Sequence, residues 1–414
     1  MNRFPTRAVA AAAAVLLAAG CSSSGGEGKS TPAKNDSAKP SQTAGPGLEI
    51  RLGKDLVAHQ GVAVAALERE TLQIRKQVTV PEPVAQGQLA GTGSRSRVFD
   101  SSFEYALLGE SGMSASAPDG ALKVADLAAA GSGKGVLTLT REQLTAAGVT
   151  GTVSGAQFTG SPKEPELWFQ TTAADSPTGE TWSSSTAGQY KITSLWSVNV
   201  KDWQAGSTRT VRKHDVPAEV QTYWKSQECQ TAFSRSPGQE GFTPWSCWLV
   251  DAAGTPVASG PVSARTVRGT VDTGWTNPAS GTGSEKVTFS YVKGSDGKPA
   301  LPLSVSGAGG NGASTLDGMS GLIDSGSAAQ SERKMWRFTT VGSQLKLKEL
   351  PKALPATTST DGETELWVFP DGQAVAKVED GDAATGWILT ADQEWKKVGP
   401  WAADLQDAEI HTTA

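Results

Sequence analysis

Alternation with a period of two dominates this chain. "KVTFSYV" (residues 286–292) and "LKLKEL" (345–350) place apolar and polar residues in turn, and "GVLTLT", "ELWFQTT", "YKITSLWSVNV", "MWRFTTV", "ELWVF" and "QAVAKVE" are similar short runs rich in Val, Thr and aromatics. Such runs suit half-buried strands. They do not suit amphipathic helices, whose apolar positions recur every 3.6 residues. "GVAVAALERETLQIRKQVTV" reads as two strands, 62–67 and 72–80, around a turn. Asp-Gly pairs punctuate the runs at Asp119, Asp296, Asp317, Asp361, Asp371 and Asp380, and they supply the positive φ angles that tight hairpins need. Helix signals are few. Thr140 to Gln143 has a capping-box pattern with Gly148 as its stop, and "DVPAEVQTYWKSQECQTAF" starts with Asp215 as a cap and Pro217 in the first turn. The chain is therefore expected to be mainly β with one or two short helices.

The N-terminus obeys different rules. Arg3 and Arg7 precede an uncharged apolar run, residues 8–20. That run has the make-up of a secretory signal and is too short to cross ~30 Å of hydrocarbon as a helix. It ends in Leu16-Leu17-Ala18-Ala19-Gly20-Cys21, which resembles the lipobox of bacterial lipoproteins, those of high-GC Gram-positive bacteria in style. Ala18 stands where that family usually has Leu. The resemblance implies that residues 1–20 are a signal peptide and that Cys21 becomes the first residue, carrying lipid acyl chains such as palmitate. Each buried CH₂ of such a chain contributes ~0.8 kcal/mol to membrane affinity. Residues 21–47 are Ser, Gly, Pro, Lys, Ala and Thr with almost nothing large and apolar, which predicts a disordered linker. The expected localisation is the extracytoplasmic face of the cell membrane, with the membrane as a partner through the N-terminal lipid.

The remaining stretch, 48–414, is expected to be one β-rich extracytoplasmic domain, with 304–332, rich in Gly and Ser, as a possible long loop. "EPELWFQTTA" and "ETELWVFPDG" share Glu-Leu-Trp, strand clusters recur at roughly 40–50 residues, and "GETW", "VKDW" and "DQEW" repeat an acidic residue near Trp. This patterning is similar to that of β-propellers. It implies about seven blades; a pair of β-sandwich or barrel domains is the alternative. Cys229 and Cys247 are expected to form a disulfide, the default for two cysteines in a secreted chain, worth ~3 kcal/mol in the chain-entropy model.

Charge and motifs narrow the function. The formal net charge is −5, and loss of the two signal arginines makes it −7, which argues against nucleic acid as a partner. G-x-S-x-G and H-E-x-x-H are both missing from the sequence. "GSGKG" and "VEDGDAATG" read as turns, and His214 beside Asp215 as a strand residue next to a helix cap. The three histidines are His59, His214 and His411, and His411 is expected to fray with the C-terminus. No metal, cofactor or catalytic residue is assigned. Of the thirteen tryptophans, most sit among aliphatic residues and read as core, while Trp245 and Trp248, flanking Cys247, are the candidate ligand contacts. The expected function is a non-enzymatic binding or scaffold module for a protein or glycan of the cell envelope. The alternative is an extracytoplasmic hydrolase that works through paired carboxylates, whose separation is spatial and not sequential.

Overall fold

The computed structural model describes residues 47–85, 98–109, 121–130, 135–158, 165–172, 192–205, 211–214, 266–276, 284, 286–293, 299–307, 312–314, 320–324, 333–341, 344–358, 362–369 and 371–412. Cys21, the Cys229–Cys247 pair, the helix expected from Asp215, and Trp245 and Trp248 lie outside them. The protein is mainly β. Among the described residues no helix is long and apolar enough to cross a membrane.

The strands form six antiparallel sheets among the described residues, in chain order. The first holds β1 (Asp55–Gln60), β2 (Ala63–Glu68) and β3 (Ile74–Thr79). The second holds β4 (Tyr105–Leu108), β5 (Leu122–Asp126) and β6 (Val136–Leu139). The third holds β7 (Thr152–Phe158), β8 (Glu166–Thr172), β9 (Ile192–Asn199) and β10 (Arg212–His214). The fourth holds β11 (Thr266–Asp272), β12 (Lys286–Lys293) and β13 (Pro299–Gly307). The fifth holds β14 (Gly312–Ser314), β15 (Ser320–Asp324), β16 (Met335–Val341) and β17 (Gln344–Glu349). The stretch 304–332, read from sequence as a possible loop, thus contains the end of β13 and both β14 and β15. The sixth sheet holds β18 (Thr364–Val368), β19 (Ala374–Asp380), β20 (Ala383–Leu389) and β21 (Trp395–Pro400).

One strand breaks the chain order. β22 (Glu409–Thr412), the last strand, pairs not with the sixth sheet but with β1, so the first sheet runs β22–β1–β2–β3. His411 is therefore held in a ladder, against the expectation that it frays: four residue pairs, from Leu56 opposite Thr412 to His59 opposite Glu409, tie the chain end down.

The apolar clusters show what lies between the sheets. Val57, Val64 and Ala66 of the first sheet join Leu107, Leu122 and Val124 of the second and Phe158, Leu167 and Phe169 of the third. Val287 and Phe289 of the fourth sheet meet Ile323 and Phe338 of the fifth. Leu322 and Met335 of the fifth meet Ala374, Ala376 and Val378 of the sixth. Trp367, Val375 and Ile388 of the sixth then meet Leu56, Ala58 and Leu67 of the first. Among the described residues the clusters thus join the first three sheets to one another, the fourth to the fifth, the fifth to the sixth, and the sixth to the first. Burying one such side chain stabilises by ~1.5–3 kcal/mol.

β1 is consequently covered on both faces, with Leu56 and Ala58 in one cluster and Val57 in another. A strand without a solvent face has no reason to alternate, and "DLVAHQ" does not. β19 is similar, and on its Val375 face it carries Lys377, whose side chain is only 1% exposed. The ammonium lies 2.6 Å from Glu379 and 3.5 Å from Glu365, and it donates to the carbonyl of Gln406 in the segment leading to β22. Gln406 also donates to Glu379 at 3.1 Å, and the Asp407 N–H donates to Gln60 of β1 at 3.2 Å. Trp401 stacks on Trp367 with centroids 5.6 Å apart and donates its indole N–H to Leu405 at 2.7 Å. These contacts turn the chain from the sixth sheet into the first.

Local chemistry explains the turns. In the hairpin from β19 to β20, Asp380 is opposite Ala383, which leaves Gly381 and Asp382 to reverse the chain, and Gly381 takes φ +65°. Asp380 accepts from the backbone N–H and hydroxyl of Thr358, so "VEDGDAATG" is the turn its sequence implied. α1 (Arg141–Ala146) is the capping-box helix: the Thr140 hydroxyl accepts from the Gln143 N–H at 3.3 Å, and the Gln143 side chain accepts from the Thr140 N–H at 2.9 Å. α2 (Val200–Gln204) was not expected. The run "YKITSLWSVNV" looks like strand to its end, but Asn199 caps a helical turn by accepting from the Asp202 N–H.

Asp55 fixes the start of β1. Its side chain is fully buried and lies 2.8 Å from Arg51 and 2.6 Å from Arg75. Burial pushes its carboxyl up, but the hydrogen bonds from Arg51 and Arg75 outweigh burial and hold it below the usual range. A depressed folded value stabilises the protein fully above the unfolded carboxyl value of ~4, and that contribution is lost as pH falls through the folded value. Asp55→Asn is expected to cost about 1–3 kcal/mol at neutral pH. Urea unfolding at pH 7 and at pH 3 should show the gap between wild type and variant narrowing at the lower pH; a gap that widens would contradict this role.

Candidate metal centre

The seam between β1 and β22 gathers two histidines and a glutamate. Period two puts Glu409 and His411 on one face of β22. The register sets Glu409 directly opposite His59 and leaves His411 on the diagonal, opposite Val57. His59 Nε2 lies 3.4 Å from Glu409 Oε2, and His411 Nε2 lies 3.8 Å from the same oxygen. One ligand atom from each of the three residues falls within 4.8 Å of the others. The imidazoles stack at 5.1 Å with a 20° interplanar angle, and Phe99 presents its ring to both at 5.5 and 4.9 Å.

The surroundings fix this geometry. Phe99 bridges to Ala106 of β4. The next residue, Asp100, is buried and closes the turn into β4, accepting from the Tyr105 N–H at 2.7 Å and the Ser102 N–H at 3.0 Å. Burial raises the Asp100 carboxyl above its usual range despite those donors. The His59 side chain is 3% exposed, against 18% for Glu409 and 12% for His411. His59 Nε2 makes no hydrogen bond among the described residues. A buried nitrogen left so costs about 1–3 kcal/mol, which the fold must offset elsewhere. Two imidazoles and a carboxylate are a donor set for zinc and other late first-row divalent ions.

A second polar cluster lies in the third sheet. Ser197 donates its hydroxyl to Glu166 at 2.5 Å, and His214 Nε2 meets the same hydroxyl at 2.7 Å, with the His214 ring stacked on Trp168 at 4.0 Å. With the serine proton directed at the carboxylate, the imidazole must donate. This is the reverse of what a general base does for a serine nucleophile. Ser197 is also fully buried. The cluster binds β8, β9 and β10 together. The other carboxyl raised by burial, Glu365, faces Lys377 within the sixth sheet.

None of the residues singled out from sequence, Cys21, Cys229, Cys247, Trp245 and Trp248, falls among the described ones. In the sequence His59 and His411 stand out only as two of three histidines. Their meeting depends on the pairing of β1 with β22, which no local pattern reveals. A usable signal existed in "EIHT", where a glutamate and a histidine two apart on a strand share a face. The tryptophans that are described as buried, Trp168, Trp196, Trp203, Trp336, Trp367 and Trp401, fill the interior.

No protein-family model and no curated protein sequence matches this chain. Among solved structures it is similar to hydrazine synthase of Kuenenia stuttgartiensis, at 11% identity and TM-score 0.31, covering 85% of this chain and 79% of that one. It is also similar to the Cps50 (Swd1) β-propeller domain of Myceliophteria thermophila, at 10% identity and TM-score 0.28, covering 81% and 80%. AztD of Citrobacter koseri aligns at 11% identity and TM-score 0.22, covering 83% and 69%.

Removing the Ser197 hydroxyl tests the second cluster. Ser197→Ala should leave Glu166 and His214 without their shared partner and destabilise the protein by about 1–3 kcal/mol in urea unfolding. An unchanged midpoint would show that the cluster does not hold the sheet.

Proposed function

We propose that this chain is a lipid-anchored, non-enzymatic module of the cell envelope, held on the extracytoplasmic face of the membrane. Its signal (1–20) is removed, Cys21 carries the lipid, and 21–47 is the tether. The folded part, 48–414, is a β-propeller of about seven blades that binds a protein or glycan of the envelope.

The observation that supports the propeller is the order of packing. Sheets of three or four antiparallel strands follow one another in the chain; one apolar cluster joins the first three, others join the fourth to the fifth and the fifth to the sixth, the sixth meets the first, and the last strand enters the first sheet. A propeller needs this closure because an open array of blades would leave an apolar face uncovered at each end. The binding role is supported by what the polar clusters do. Asp55 ties the segment before β1 to β3, Lys377 ties β19 to β18 and to the segment before β22, and Ser197 with Glu166 and His214 ties β8, β9 and β10 together.

Cell fractionation tests the anchor. The wild-type chain is expected in the membrane fraction and Cys21→Ser in the soluble extracytoplasmic fraction. A Cys21→Ser chain that still sediments with membranes would overturn the lipid reading.

A further inference from the structure

We propose that His59, Glu409 and His411 bind a divalent transition-metal ion, and that the ion fastens β22 to β1. The proposal stands independently of the membrane anchor and of the number of blades.

Distance is the first argument. Two ligands ~2.0–2.2 Å from a tetrahedral ion are ~3.4 Å apart. His59 Nε2 and Glu409 Oε2 are 3.4 Å apart, and His411 Nε2 lies 3.8 Å from the same oxygen. The outer limit of 4.8 Å for the set leaves an adjustment on the order of 1 Å, within reach of a side-chain rotation at the less buried His411.

The second argument is the unsatisfied nitrogen. His59 is nearly wholly buried, its Nε2 makes no hydrogen bond among the described residues, and it lies 3.4 Å from the Glu409 carboxylate. An ion at the centre of the trio would take that lone pair. Its partners on β22 keep solvent contact, so an ion has an entry path. The Phe99 ring, against both imidazoles, forms an apolar wall that strengthens metal–ligand attraction. Three protein ligands leave one coordination position for water or a small ligand.

The third argument is topology. Two ligands sit on β22 and one on β1, so each bond to the ion bridges the pair of strands that closes the chain. Binding that requires the closed pairing stabilises it by mass action.

The test uses the full chain purified without a polyhistidine tag. Cobalt(II) serves as the spectroscopic probe and zinc(II) as the competitor. The wild type is expected to develop a saturable visible d–d absorption at one cobalt per chain, abolished by zinc, and zinc should raise its melting temperature. Glu409→Gln and His411→Gln, at the partly exposed positions, should bind cobalt on the order of 100-fold more weakly and lose the zinc-induced shift. His214→Gln should keep both. Circular dichroism checks that each variant is folded, and His59→Gln is read only if it passes. Wild-type affinity in Glu409→Gln and His411→Gln, or no saturable absorption in the wild type, would overturn the site. Site-dependent binding with no shift in melting temperature would overturn the fastening role.

Discussion

The structure depends on one backbone pairing, that of β22 with β1. Among the described residues every other sheet is built from strands that follow one another in the chain, so its ladders close shorter loops at smaller entropic cost. The β22 ladder joins the two ends of the folded part and brings the sixth sheet onto the first. Without it, Leu56, Ala58 and Leu67 on one side and Trp367, Val375 and Ile388 on the other would face solvent. The apolar area of that interface is what drives closure, and the ladder sets its register.

Polar groups specify the closure. A buried ammonium is expensive unless paired, and Lys377 has Glu379, Glu365 and the Gln406 carbonyl around it. These partners exist together only when the segment before β22 lies across the sixth sheet. Gln60 and Asp407 then exchange hydrogen bonds across to the first sheet. A chain end placed one residue out of register would take the Gln406 carbonyl away from Lys377 and turn His411 to the opposite face.

Half-buried strands were legible in the sequence because their exposure writes a period of two. β12 and β17 are cases, with Val287 and Leu345 buried and Thr288 and Lys346 exposed. β1 was missed because both its faces are covered, and nothing in "DLVAHQ" distinguishes inside from outside. The capping box before α1 was readable because its two hydrogen bonds lie within four residues, whereas α2 hides behind a run of strand formers and has Asn199 as its cap. The His59–Glu409–His411 site was illegible for the same reason as the closure. Its members are neighbours through the β1–β22 pairing, the longest-range ladder among the described residues, and His411 was expected to be loose because the end of a chain usually is.

Residue-resolved amide hydrogen exchange on the native protein tests this dependence most directly. If closure by β22 holds the structure together, the amides of β22 should exchange as slowly as those of β19, at the rate set by global unfolding. Exchange of β22 orders of magnitude ahead of β19, with β1 and the sixth sheet still protected, would show that the last strand is an appendage and not the closure.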